Sequence, residues 1–145
     1  MDESWILIDE ATGLHVRWYF WLRVLDEVNR SSRYGAPFGL LLLDARSEPG
    51  AGRHAVEAAV SRIPAAIRST DVGGALAPGK AGVLLLQQDV AGAEQATARV
   101  LERLRPATPG GVSWATRLLC HPRDAGEISN LLTVGSGERP ARLLA

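Results

Sequence analysis

Apolar and polar residues along this chain follow two alternating rhythms. From Thr12 to Ser31, Trp18, Trp21, Leu22, Leu25 and Val28 recur at three- and four-residue steps, the spacing of one face of an amphipathic helix, with Arg17 and Tyr19 turned to solvent. Thr12 is placed to cap the first turn, and Gly35-Ala36-Pro37 ends the helix, because proline cannot continue it. Phe38 to Asp44 is an unbroken apolar run of the length expected for a strand covered on both faces. Helical spacing returns over residues 53–68, with Pro64 expected to kink or split it by removing a donor and crowding the preceding turn. Two short extended stretches, Gly74-Ala75-Leu76 and residues 82–86, flank Pro78-Gly79-Lys80 and read as a hairpin. Asp89 can cap a further helix in which Ala93, Ala96, Val100 and Leu104 share one face. Gly110-Gly111 leads into a strand over residues 112–119, Asp124 opens a short helix, and a glycine-rich turn at residues 135–137 precedes Ala141-Arg142-Leu143-Leu144. This alternation predicts a single α/β domain, a central mixed sheet flanked by helices.

Composition narrows the class. At 145 residues with 46% hydrophobic content, the chain suffices for one domain with a substantial core and is too short for two. Sixteen basic and sixteen acidic side chains cancel, so bulk charge predicts no nucleic-acid partner and no attachment to a membrane surface. Every basic residue except Lys80 is arginine, a bias that a GC-rich genome produces and that also suits phosphate and guanine recognition. The single cysteine, Cys120, excludes an internal disulfide and fits a reducing compartment. No apolar run reaches the roughly 18 residues of a membrane span, and Met1-Asp2-Glu3 lacks the basic start of a signal peptide. A cytoplasmic location without membrane insertion is the expectation.

The stretch Asp9-Glu10-Ala11-Thr12-Gly13-Leu14-His15-Val16-Arg17-Trp18-Tyr19-Phe20 resembles the opening D-x-L-T-G-L-x-N-R-x-x-F of the GGDEF family of diguanylate cyclases, with Ala11 and Val16 departing from it. The resemblance continues through Glu27-Val28-Asn29-Arg30, Arg33-Tyr34-Gly35-Ala36-Pro37-Phe38, Leu40-Leu41-Leu42-Leu43-Asp44 and Ile67-Arg68-Ser69-Thr70-Asp71, reaching about Leu132. It implies a GGDEF-like, nucleotidyl cyclase-type fold with about five strands in the sheet. Residues 9–145 would form that domain and residues 1–8 an apolar extension.

Active members of the family condense two GTP molecules into cyclic di-GMP, using glycines that admit the nucleotide to the hairpin and acidic residues that hold Mg²⁺. Ala77-Pro78-Gly79-Lys80-Ala81 stands where the family keeps its name-giving motif. Mg²⁺ demands oxygen ligands, and Lys80 substitutes a positive charge. Unit charges about 4 Å apart near a protein surface interact by roughly 4 kcal/mol, and a divalent ion about doubles that. Asp44 matches the first carboxylate of the family's D-x-D, but the second is Arg46; residues 47–52 are shorter than the family's guanine-reading segment. Thr133-Val134-Gly135-Ser136-Gly137 replaces the late A-D-x-A-L-Y-x-A-K helix. The resemblance therefore implies a degenerate domain with no catalytic residue, no cofactor and no metal. Asp44 is left as a vestigial ligand position, a strand-end carboxylate that turn amides can satisfy.

A separate product-binding site of the family has a counterpart. Arg68-Ser69-Thr70-Asp71 lies nine residues before Ala77, and an ungapped count places Arg99 at the second-arginine position. Together Arg68, Asp71 and Arg99 would bind cyclic di-GMP, arginine forks gripping phosphate and the guanine edge while the carboxylate accepts from guanine N–H groups. The structural alternative is a local Arg68–Asp71 pair worth about 0.3–0.5 kcal/mol. Gly111-Val112-Ser113-Trp114-Ala115 approximates a nucleophile elbow but fits the family's V-S-x-G strand better. His15, His54, His121 and Cys120 lack metal-ligand spacing.

Trp5-Ile6-Leu7-Ile8 would expose four large apolar residues unless they add a strand, pack back or meet a partner. Trp5, Ile6 and Ile8, with Pro78 and Lys80 of the altered hairpin, are therefore the candidate contacts to another signalling protein or to a second copy in a homodimer. Two functions follow as expectations: a catalytically inactive scaffold in bacterial signalling, or a cyclic di-GMP receptor.

Overall fold

Backbone dihedral preferences and burial sort the chain into nine elements over the described residues of the computed structural model, which are 7–144 for the backbone and 7–52 and 54–134 for side chains. In chain order these are α1 (Arg17–Tyr34), β1 (Phe38–Ser47), α2 (Arg53–Val60), α3 (Ile63–Ala66), β2 (Val72–Ala77), β3 (Lys80–Leu86), α4 (Val90–Ala107), β4 (Val112–His121) and α5 (Ala125–Leu144). The strands form one sheet in the order β2-β3-β1-β4, and every named pair is antiparallel.

Two expectations are corrected here: the sheet has four strands rather than five, and it is antiparallel rather than mixed. The fifth position is reduced to one bridge. His15 pairs in parallel with Gly74 at the outer edge of β2 and antiparallel with Ile8, so segment 7–16 contributes only two backbone hydrogen bonds to β2, His15 N–H to Gly73 (3.0 Å) and Ala75 N–H to His15 (2.9 Å).

Strand alternation divides the core in two. Leu41, Leu43, Ala45, Ala81, Val83 and Leu85 point to a layer of α2, α3 and α4. Phe38, Leu40, Leu84 and Leu119 point to the other, beneath Phe20, Trp21 and Val24 of α1 and Ile128 of α5. The apolar run of β1 is thus explained by cover on both faces. Ala93, Ala96, Val100 and Leu104 are all buried as the spacing predicted, and Asp89 caps α4 by accepting from Gly92 N–H at 2.8 Å.

Three local expectations change. Thr12 does not cap α1, which begins at Arg17 without a side-chain cap; the Thr12 hydroxyl instead donates to the Asp9 carboxylate and accepts from Leu14 N–H. The buried face of α1 is Phe20, Trp21, Val24, Glu27 and Ser31, leaving Leu25 42% exposed. The helical signal over 53–68 is split, as Pro64 predicted, with Ser61 and Arg62 between α2 and α3. The glycine-rich turn at 135–137 is absent because α5 runs through it; glycine lowers helix propensity by about 1 kcal/mol but does not forbid helical dihedrals.

Candidate functional site

The hairpin between β2 and β3 turns through Pro78 and Gly79, with Gly79 at φ 77°, a left-handed conformation natural to glycine after proline. Gly79 is buried against α2, where a Cβ would come within 2.8 Å of Val56, and its carbonyl accepts from Ala45 N–H at 2.8 Å. Pro78 and Lys80 are exposed. The hairpin therefore presents those two side chains while its backbone is pinned to β1.

Register then fixes the local charge. Lys80 stands directly across from Asp44 in the β1–β3 ladder. Two residues along β1, the Arg46 guanidinium donates to Asp44 at 3.3 Å. The Asp44 carboxylate thus has one cation on its own strand and another opposite it on β3, and among the described residues no three His, Cys, Asp or Glu side chains gather to hold a metal ion.

Beside this cluster the sheet face is uncovered. Phe20 lies directly on Gly74 and Gly82, with a Cβ at Gly82 only 2.7 Å from its ring. These two glycines let α1 cross in contact with the strands. A cleft of about 460 Å³ remains, floored by Trp21, Leu42, Leu76 and Leu131; among the described residues its cations are Arg46, Lys80 and Arg117 and its one acid is Asp44. Arg117 is reached because β1–β4 pairing sets it opposite Leu42 on the same face; it also pairs with Glu127 of α5. Sequence reading missed Arg117, Leu76 and Leu131, since only cross-strand register brings them together. A second cleft of about 320 Å³ lies across the hairpin, between Asp9, Thr12, Glu57 and Pro78.

Arg68 and Asp71 line a third cleft of about 370 Å³ with His15, Pro64 and Gly73. Within the segment, the Asp71 carboxylate accepts from the Arg68 backbone N–H at 2.8 Å, and the Arg68 side chain is exposed. Arg99 lies on the exposed side of α4 and is not part of that lining. The structure thus brings Arg68 and Asp71 together and leaves Arg99 outside the cleft wall. His15, weighed in the sequence only as a metal ligand, lines this cleft: burial pushes its imidazole below the ordinary value, partly opposed by a hydrogen bond with the Leu7 backbone and reinforced by Arg23.

Among the partner-contact candidates, Trp5 and Ile6 lie outside the described residues. Ile8 is half-buried beside His15, and Val16 N–H donates to the Leu7 carbonyl at 2.7 Å. No helix among the described residues is long and apolar enough to cross a membrane.

No family model matches the chain, and no curated protein matches it in sequence. Solved structures do match it in fold. A sensory box/GGDEF family protein from Caulobacter crescentus aligns with a TM-score of 0.70 at 18% identity, covering 94% of this chain and 96% of that one. The diguanylate cyclase SiaD from Pseudomonas aeruginosa, solved in complex with its activator SiaC, aligns at 0.66 and 20% identity; the match covers 92% of this chain but only 59% of SiaD. The coiled coil and GGDEF domain of DgcB from Caulobacter crescentus, in complex with c-di-GMP, aligns at 0.65 and 12% identity over 92% of this chain and 82% of that one. The chain therefore has the fold of GGDEF diguanylate cyclase domains.

Proposed function

We propose that this chain, built on the GGDEF fold, is a catalytically inactive regulatory module that acts in bacterial signalling by contacting another protein in the cytoplasm. One observation carries the reading: Asp44, the carboxylate in the metal position, is ion-paired with Arg46 and faces Lys80 across the β1–β3 ladder. A hard divalent cation needs several oxygens, and here it would meet one carboxylate beside two positive charges. The exposed Pro78 and Lys80 then serve as contact surface, together with Trp5, Ile6 and Ile8. SiaD, which shares this fold over 59% of its length, was solved in complex with a protein activator, SiaC.

A second reading, cyclic di-GMP reception, is favoured by the cleft that Arg68 and Asp71 share. One calorimetric experiment tests both. Titration with GTP and Mg²⁺ gives no heat under the first reading, and saturable binding lost in Asp44→Ala would contradict it. Titration with cyclic di-GMP gives micromolar binding under the second reading, abolished by Arg68→Ala; no heat with folded protein rejects reception.

A further inference from the structure

We infer that the 460 Å³ cleft at the hairpin end of the sheet is a docking groove for an acidic peptide segment of a partner protein, one carrying a large apolar side chain flanked by Asp or Glu. The inference rests on the inactive-module reading and supplies the chemistry of its partner.

A sheet face normally buries its apolar side chains beneath a helix layer. Here α1 is drawn onto Gly74 and Gly82 by the absence of side chains there, so Leu42 and Leu76 remain only half-buried beside Trp21 and Leu131. An apolar floor of this kind takes an aromatic or aliphatic anchor, the group that dominates most interfaces.

The rim selects the anchor's neighbours. Among the described residues, three cationic side chains and one anionic line the cleft. Arg46 is engaged with Asp44 and Arg117 with Glu127, whereas Lys80 is exposed with no carboxylate partner among the described residues. A bare phosphate ligand would need several convergent donors, and two of the three cations here are already spent on internal carboxylates. A peptide carboxylate matches Lys80, the cleft cation without an ion pair among the described residues, while the apolar anchor fills the floor, which a bare phosphate would leave empty. Complementary charge of this sort sets selectivity and association rate more than raw affinity.

The test uses the full chain and a fluorescein-labelled, end-blocked hexapeptide, Asp-Glu-Trp-Leu-Asp-Glu, read by fluorescence anisotropy. Two control peptides replace every acid by lysine or both apolar residues by alanine. Saturable binding at least tenfold tighter than either control is expected. It should weaken at least tenfold in Lys80→Glu and in Leu76→Ser, and stay unchanged in Arg103→Glu on the exposed side of α4. Because Lys80 is exposed, circular dichroism of Lys80→Glu should match the parent. Equal binding of the controls, no saturable binding, or displacement of the peptide by pyrophosphate as effectively as by unlabelled peptide would each overturn the groove. Conversion of GTP by the same protein would overturn the inactive-module reading instead, so the two failures are read separately.

Discussion

His121 shows how one buried polar side chain ties distant segments together. Only 5% exposed, it stacks on Phe38 with ring centroids 5.2 Å apart and shares a 2.6 Å hydrogen bond through Nδ1 with the Ser31 hydroxyl. Burial pushes its pKa below the ordinary 6.5, so the folded protein keeps the ring neutral where the unfolded chain would protonate it. Linkage gives the sign: this contribution is complete above about pH 6.5 and is lost as pH falls, because the unfolded state then binds more protons. His15 is depressed in the same direction. Urea midpoints should therefore be level above pH 7 and fall between pH 6.5 and 5, with a smaller fall in His121→Asn; equal slopes in parent and variant would reject the assignment. At this scale the sequence was partly legible. Asp44, Arg46 and Lys80 stood out because a motif position and a charge reversal can be read from the residues alone. His121 and Ser31 did not, since they lie 90 residues apart and meet only when α1 packs on the sheet.

Among the elements, α1 was legible as a helix but not in its facing. Trp21 lies at the boundary between the predicted stripe and the buried one, and the helix turns toward Phe20, Val24 and Ser31 because Gly74 and Gly82 create a trough that Phe20 fills. That fit yields a prediction. A methyl at Gly74 would overlap the fully buried Phe20, and overpacking typically costs about 1–3 kcal/mol. Gly74→Ala should lose that much stability in urea unfolding, whereas Gly110→Ala, with open space around it, should stay within about 0.5 kcal/mol of the parent. A neutral Gly74→Ala would mean that α1 can rise from the sheet at little cost. The missing fifth strand and the continuous α5 were beyond local pattern: a single bridge at His15 leaves no alternation to detect, and glycine at 135–137 permits helix and turn alike.

For the whole molecule, the fold is shared with its structural neighbours and the loss of their chemistry is the proposal. Two helical layers around an antiparallel sheet reproduce the frame on which diguanylate cyclases are built, and nearly all of that frame was legible from the spacing of apolar residues and the resemblance at residues 9–44. The candidate groove was not, because its floor and rim come from α1, all four strands and α5, joined only by register. Its cations Arg46 and Lys80 stand at the same strand ends as Asp44. Under the proposed function, this arrangement keeps a surface for recognition while the cations beside Asp44 oppose metal-dependent catalysis. Incubating the purified chain with GTP and Mg²⁺, and separating the nucleotides chromatographically, tests this most directly. Unchanged GTP and no cyclic di-GMP are expected; accumulation of cyclic di-GMP at a rate removed by Asp44→Ala would show an active cyclase and overturn the inactive-module proposal.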